Sequence, residues 1–192
     1  SAPWAEPSRS GHPQRADRTR DRKRAVVAAD SGSVVGRIGM EERKMAVQPI
    51  PEGYSTVTPY LIVEGADRVL DFATRAFGAS ERFRMDSADG TIGHAEVTIG
   101  DSVVMLAEAG GESPAMPGGI HLYVEDCDAA YARALEAGAT PLREPANQFY
   151  GDRSGGVRDP AGNVWWITTH VEDVPPEELE RRADEWARRE SG

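Results

Sequence analysis

The chain has 192 residues, 22 of them Lys or Arg and 32 Asp or Glu, for a net charge of -10. This length fits one domain with an extension, and the acidic balance argues against nucleic acid as a main partner. One cysteine, Cys127, excludes a disulfide framework. No apolar run approaches a membrane span and no signal-peptide pattern is visible, so the expected location is the cytoplasm.

Charge is unevenly spread. Residues 1–45 carry ten basic and six acidic residues, a net of +4, and few large apolar side chains. Residues 1–47 therefore read as a disordered or loosely packed basic extension. Met40 and Met45 also stay open as translation starts.

The domain is expected over 48–174. Residues 56–63 alternate as a strand. Val69, Phe72, Ala73, Ala76 and Phe77 repeat at helical spacing over 66–77, and Gly78 stands at the cap. Strands are expected at 79–85, 92–99 and 102–108, the last two joined at Gly100 and Asp101. A second set follows. A strand at 120–124 leads to a helix at 126–137 with Ala130, Ala134 and Leu135 inward. Strands at 140–143, 154–158 and 164–169 complete it. Pro176 opens a final helix in 175–192, with Trp186 on its apolar stripe.

The two halves share wording. Leu61, Ile62, Val63, Glu64 and Asp67 answer Leu122, Tyr123, Val124, Glu125 and Asp128 at an offset of 61. Two βαβββ modules, about 53–109 and 119–170, account for the domain. The fold class is α+β, with the modules forming a cupped mixed sheet.

Several residues carry candidate chemistry. His94 and Glu96 share a strand face. His121 is the foremost acid–base candidate, with Glu96 as its partner or an independent base. Asp152 and Arg153 read as a loop-fixing pair, with Arg153 alternatively meeting an anionic ligand group. Tyr150 and His170 are rim candidates. Cys127 stands at a helix start, where its pKa could fall, although a partly buried thiol without a role is the plainer reading.

The runs Val57-Thr58-Pro59-Tyr60-Leu61, His94-Ala95-Glu96 and Leu122-Tyr123-Val124-Glu125-Asp126 resemble the vicinal oxygen chelate superfamily. Phe149 to Gly155, Asp159-Pro160-Ala161-Gly162 and Trp165 complete the resemblance. That superfamily includes glyoxalases, bleomycin-resistance proteins and dioxygenases, and the wording is nearest its PhnB-like branch. The resemblance implies the glyoxalase/bleomycin-resistance/dioxygenase fold, a cavity often completed in a homodimer, and four metal-ligand positions. Those positions fall here on Thr58, Met105, Gly119 and Trp166, which are not ligands for a hard divalent ion. No metal and no cofactor is therefore expected, although a rebuilt site of His94, Glu96 and His121 is the alternative.

By the same resemblance Thr58, Tyr60, Met105, His121, Tyr123 and Trp166 line the cavity, with His94, Tyr150 and Arg153 as further ligand contacts. The expected function is metal-independent sequestration of an aromatic or amphipathic small molecule, without nucleic-acid or membrane partners. The alternative is a divalent-metal-dependent lyase, isomerase or dioxygenase of the glyoxalase type.

Overall fold

A computed structural model describes residues 47–190. The expectations for the basic extension fall on 1–46, outside the described residues, as do residues 191–192.

The first module is β1 (Tyr60–Val63), α1 (Ala66–Phe77), β2 (Ser80–Asp86), β3 (Ile92–Ile99) and β4 (Ser102–Glu108). The second is β5 (Gly119–Tyr123), α2 (Cys127–Glu136), β6 (Thr140–Asn147), β7 (Asp152–Arg158) and β8 (Val164–His170), followed by α3 (Pro176–Glu190). Each module forms its own four-stranded mixed sheet, ordered β1-β4-β3-β2 and β5-β8-β7-β6. In both, the first strand runs parallel to the last and the other pairs are antiparallel. The fold is thus α+β with a repeated βαβββ unit.

Helix and strand periodicities meet in one core. Helix α1 buries Ala66, Val69, Phe72, Ala73 and Ala76. Strand β3 turns Ala95, Val97 and Ile99 toward the same core, and β8 contributes Trp165 and Ile167. Phe72 and Phe77 reach the Trp165 ring at 5.9 and 4.9 Å, so the aromatic centre joins the two modules. Across that joint Arg133 Nε donates to the Ala76 carbonyl at 3.1 Å, and Arg75 Nη2 to that of Glu136 at 2.9 Å.

Each helix start is held by the end of its module's last strand. The Glu108 carboxylate accepts from Gly65 N and Ala66 N at 2.7 and 2.9 Å. At the equivalent place Thr169 Oγ1 accepts from Cys127 N at 2.9 Å. Unpaired amides at a helix start need such acceptors. Gly78 closes α1 at φ 68°, in the left-handed region where glycine carries no Cβ penalty.

Three expectations needed correction. Strand β1 begins at Tyr60, because residues 55–59 turn, with Thr58 Oγ1 donating to the Ser55 carbonyl at 3.2 Å. Strand β6 runs on to Asn147 through two irregularities. It holds Pro141 and Pro145 on the sheet edge, where a missing N–H is tolerated. In α2 the inward residue is Tyr131, not Leu135. At 100° per residue Leu135 stands about a quarter-turn from the centre of the Cys127, Ala130, Tyr131, Ala134 stripe.

Candidate functional site

Strand alternation sends one set of side chains to the core and the other to the opposite sheet face. On the first sheet that face carries a cross-strand row of Tyr60, Met105, Glu96 and Phe83. His94 lies one step along, opposite Met85. On the second sheet the matching row is His121, Trp166, Gly156 and Arg143. Tyr60 and His121 are 61 residues apart, as are Met105 and Trp166, so the repeat extends to the register. The first face is open, with Tyr60, Phe83 and Met85 46, 50 and 55 % exposed, and on the second Tyr123 is 62 % exposed.

The first face is organised by a chain of hydrogen bonds. The Tyr54 hydroxyl donates to Glu96 Oε2. Glu96 Oε1 lies 3.2 Å from His94 Nε2, and His94 Nδ1 lies 3.3 Å from the Tyr60 hydroxyl. The Tyr54 hydrogen bond, aided by His94, holds the Glu96 carboxyl below its usual range and raises the Tyr54 phenol. An ionised Glu96 only accepts, so in the neutral form of His94 the proton sits on Nε2, and Nδ1 is left to accept from Tyr60. Tyr54 comes from the segment before β1. The Arg82 guanidinium stands 4.8 Å over its ring. Pro51, Tyr54, Thr58, Glu96 and Met105 line a cavity of about 460 Å³ beneath that segment. Sequence reasoning missed Tyr54, since nothing in its local wording ties it to Glu96, 42 residues on.

The second face is built differently. Gly156 exists for Trp166: a Cβ at that position would come within 2.5 Å of the indole. Arg143 places its guanidinium 4.7 Å over the same ring. His121 and Tyr123 rings lie 5.0 Å apart. The Tyr123 hydroxyl donates to Asp152 Oδ2 at 3.2 Å, and Asp152 Oδ1 pairs with His170 Nδ1 at 2.7 Å. Asp152 is buried. Desolvation, then Asp152, raises the Tyr123 phenol; Asp152 and Asp173 raise His170. His121, Tyr123 and His170 share an open cavity of about 1120 Å³ with Asp101 and Glu125.

Some expected partnerships are not made. Glu96 bonds Tyr54 and His94, not His121. Arg153 does not pair with Asp152, because neighbours on a strand point to opposite faces. It forms a two-point pair with Asp128 at 2.5 and 2.7 Å and reaches Asn147 at 3.1 Å. Tyr150 meets Phe149 edge-on at 5.2 Å, and Phe149 stacks on Trp186 of α3 at 5.6 Å. Cys127 is buried, with its thiol 3.1 Å from the Ile167 carbonyl. Burial pushes its pKa up.

Comparison with known proteins places this architecture. The family model described as "Glyoxalase/Bleomycin resistance protein/Dioxygenase superfamily" matches residues 55–167. The chain belongs to that superfamily. An uncharacterized protein of Mycobacterium tuberculosis, Rv0887c, is 36% identical over 162 residues, covering 78% of this chain and 93% of its own. Among solved structures, TioX from Micromonospora sp. ML1 is 28% identical, with TM-score 0.53 over 61% of this chain and 99% of its own. TnmS3 from Streptomyces sp. CB03234, titled an antibiotic binding protein, is 22% identical, with TM-score 0.50 over 66% of this chain and 99% of its own.

The resemblance implies four divalent-metal positions, falling on Thr58, Met105, Gly119 and Trp166. The residues do not fit such an ion. The Thr58 hydroxyl is engaged with Ser55, Met105 offers only a thioether, Gly119 has no side chain, and Trp166 carries a guanidinium over its ring. The alternative set is divided, since His94 and Glu96 bond each other while the His121 ring lies against that of Tyr123, tilted by 51°. Among the described residues no three His, Cys, Asp or Glu side chains cluster to hold a metal.

Proposed function

We propose that this superfamily member is a metal-independent small-molecule binding protein that sequesters an aromatic or amphipathic compound. The observation that carries this reading is the pair of open sheet faces. Apolar and aromatic side chains stand exposed on them beside a few oriented polar groups, and the positions of metal ligands hold residues of the wrong chemistry. Such surfaces bind flat organic molecules through burial of area and ring contacts. TnmS3, a protein of similar fold, is described as an antibiotic binding protein. The reading includes a cytoplasmic homodimer, in which a second copy would cover each open face, and a place in the PhnB-like branch on the wording around Thr58 and Tyr60.

The test is titration of the purified, chelator-treated protein with the neutral fluorescent aromatic N-phenyl-1-naphthylamine. Saturable binding is expected, unchanged by EDTA and weakened about tenfold or more, about 1.4 kcal/mol, in Tyr60→Ala or Tyr123→Ala. Near-stoichiometric bound metal that disappears in His121→Ala, or binding lost on chelation, would replace this reading with the metal-dependent one.

A further inference from the structure

The chain of groups on the first sheet has a direction. Tyr54 donates into Glu96, and Glu96 accepts from His94 Nε2. His94 Nδ1 is then the acceptor for the Tyr60 hydroxyl proton. With its proton turned inward, the Tyr60 oxygen presents only lone pairs to a ligand. Tyr60 lines an open cavity of about 540 Å³ with Ile62, Gly93 and Ala107, and with the carboxylates of Asp89 and Glu108. A ligand group that meets it must therefore be a donor.

We propose that Tyr60, His94 and Glu96 form a proton relay that ionises an acidic hydroxyl on an aromatic ligand. The proposal rests on the binding reading above and adds the chemical class of the ligand: a hydroxyaromatic. The ligand O–H bond breaks as a new O–H bond forms at Tyr60. The former Tyr60 proton passes to His94 Nδ1. The products are an aryloxide hydrogen-bonded to Tyr60 and a His94 imidazolium. No electrons change hands, and no co-reactant is needed.

The surroundings favour this transfer at the imidazole end. Glu96, kept ionised by the Tyr54 hydrogen bond, meets the new imidazolium through Nε2–H. Phe83, whose ring centre lies 6.1 Å from His94, and Met85, opposite His94 on β2, stand on the same open face. Aliphatic alcohols are too weakly acidic to give their proton to an imidazole, whereas phenols with an electron-withdrawing group lie close to its range. Long apo hydrogen bonds of 3.2 and 3.3 Å are ordinary for groups that tighten on a bound ligand.

The experiment uses 4-nitrophenol, whose neutral and anionic forms absorb differently, with nitrobenzene as a probe of similar shape that cannot ionise. Equilibrium dialysis gives the affinity of each, and absorbance titration gives the pKa of 4-nitrophenol free and bound. In the native protein the bound pKa is expected to fall by at least one unit, a tenfold gain in the anion. His94→Gln and Tyr60→Phe should still bind nitrobenzene but lose that shift. An unshifted bound pKa, 4-nitrophenol held no more tightly than nitrobenzene, or a shift that survives His94→Gln overturns the relay while leaving the binding reading in place. Failure to bind either probe overturns both.

Discussion

Asp159 shows what one side chain does for the second module. Its Oδ1 accepts from Ala161 N and Asn163 N at 2.9 Å, and its Oδ2 from Asn163 Nδ2 at 2.7 Å and Trp165 Nε1 at 3.0 Å. The turn before β8 and the indole at the centre of the core therefore share one carboxylate. Removing it leaves buried donors unpaired, each costing roughly 1–3 kcal/mol. Asp159→Ala is expected to lower unfolding free energy by about 3 kcal/mol or more, measured by urea denaturation followed by circular dichroism. A loss under about 1 kcal/mol would show that the turn finds other acceptors. The turn itself was legible in Asp159-Pro160-Ala161-Gly162, but its bond to Trp165 was not, because a turn motif says nothing of what its side chain reaches.

At the scale of elements, β7 and β8 are tied by more than their ladder. Asp152 and His170 face each other in register and pair through their side chains. Asp152 first, then Asp173, raises the His170 pKa above its ordinary 6.5. A raised folded pKa means that His170 stabilises the fold fully below its unfolded pKa, and that this contribution is lost as pH rises through the folded value. Proton NMR titration should place His170 above the usual histidine range in the native protein. Asp152→Asn should bring it back toward 6.5; no downward movement would separate the pair. Helix α3 is attached more lightly, by the Phe149–Trp186 stack and a two-point pair of Arg182 with Glu172 at 2.8 Å. Trp186→Ala is expected to cost about 1 kcal/mol. Amide exchange should quicken over 176–190 and stay unchanged around Trp165, and equal quickening in both would make the helix part of the core.

At the scale of the whole molecule, the two modules share one core and leave their other sheet faces open. Phe83 and Met85 are about half exposed on the first of these faces. Covering such side chains with a second copy is favourable at roughly 25 cal/mol per Å² of apolar surface removed from water. Light scattering on the eluting protein should therefore report a dimer. Phe83→Glu should shift it toward monomer without changing the circular dichroism spectrum, because the side chain is not in the core. A native protein that elutes as monomer, or a Phe83→Glu variant that remains dimeric, would place the contact elsewhere.

By itself the sequence determined the two modules and the order of their helices and strands, because periods of 3.6 and 2 are local properties written in every few residues. The family resemblance, rather than periodicity, put Tyr60 with Met105 and His121 with Trp166 on one face, and the strand registers pair them so. Tertiary structure alone decided which polar groups meet. Tyr54 reaches Glu96 through a turn that no strand pattern encodes, Arg153 pairs across to Asp128 rather than to its neighbour, and Gly156 is empty so that Trp166 can lie over it. Such partnerships join residues 10 to 42 positions apart, and their geometry exists only after the core has set the distance between elements.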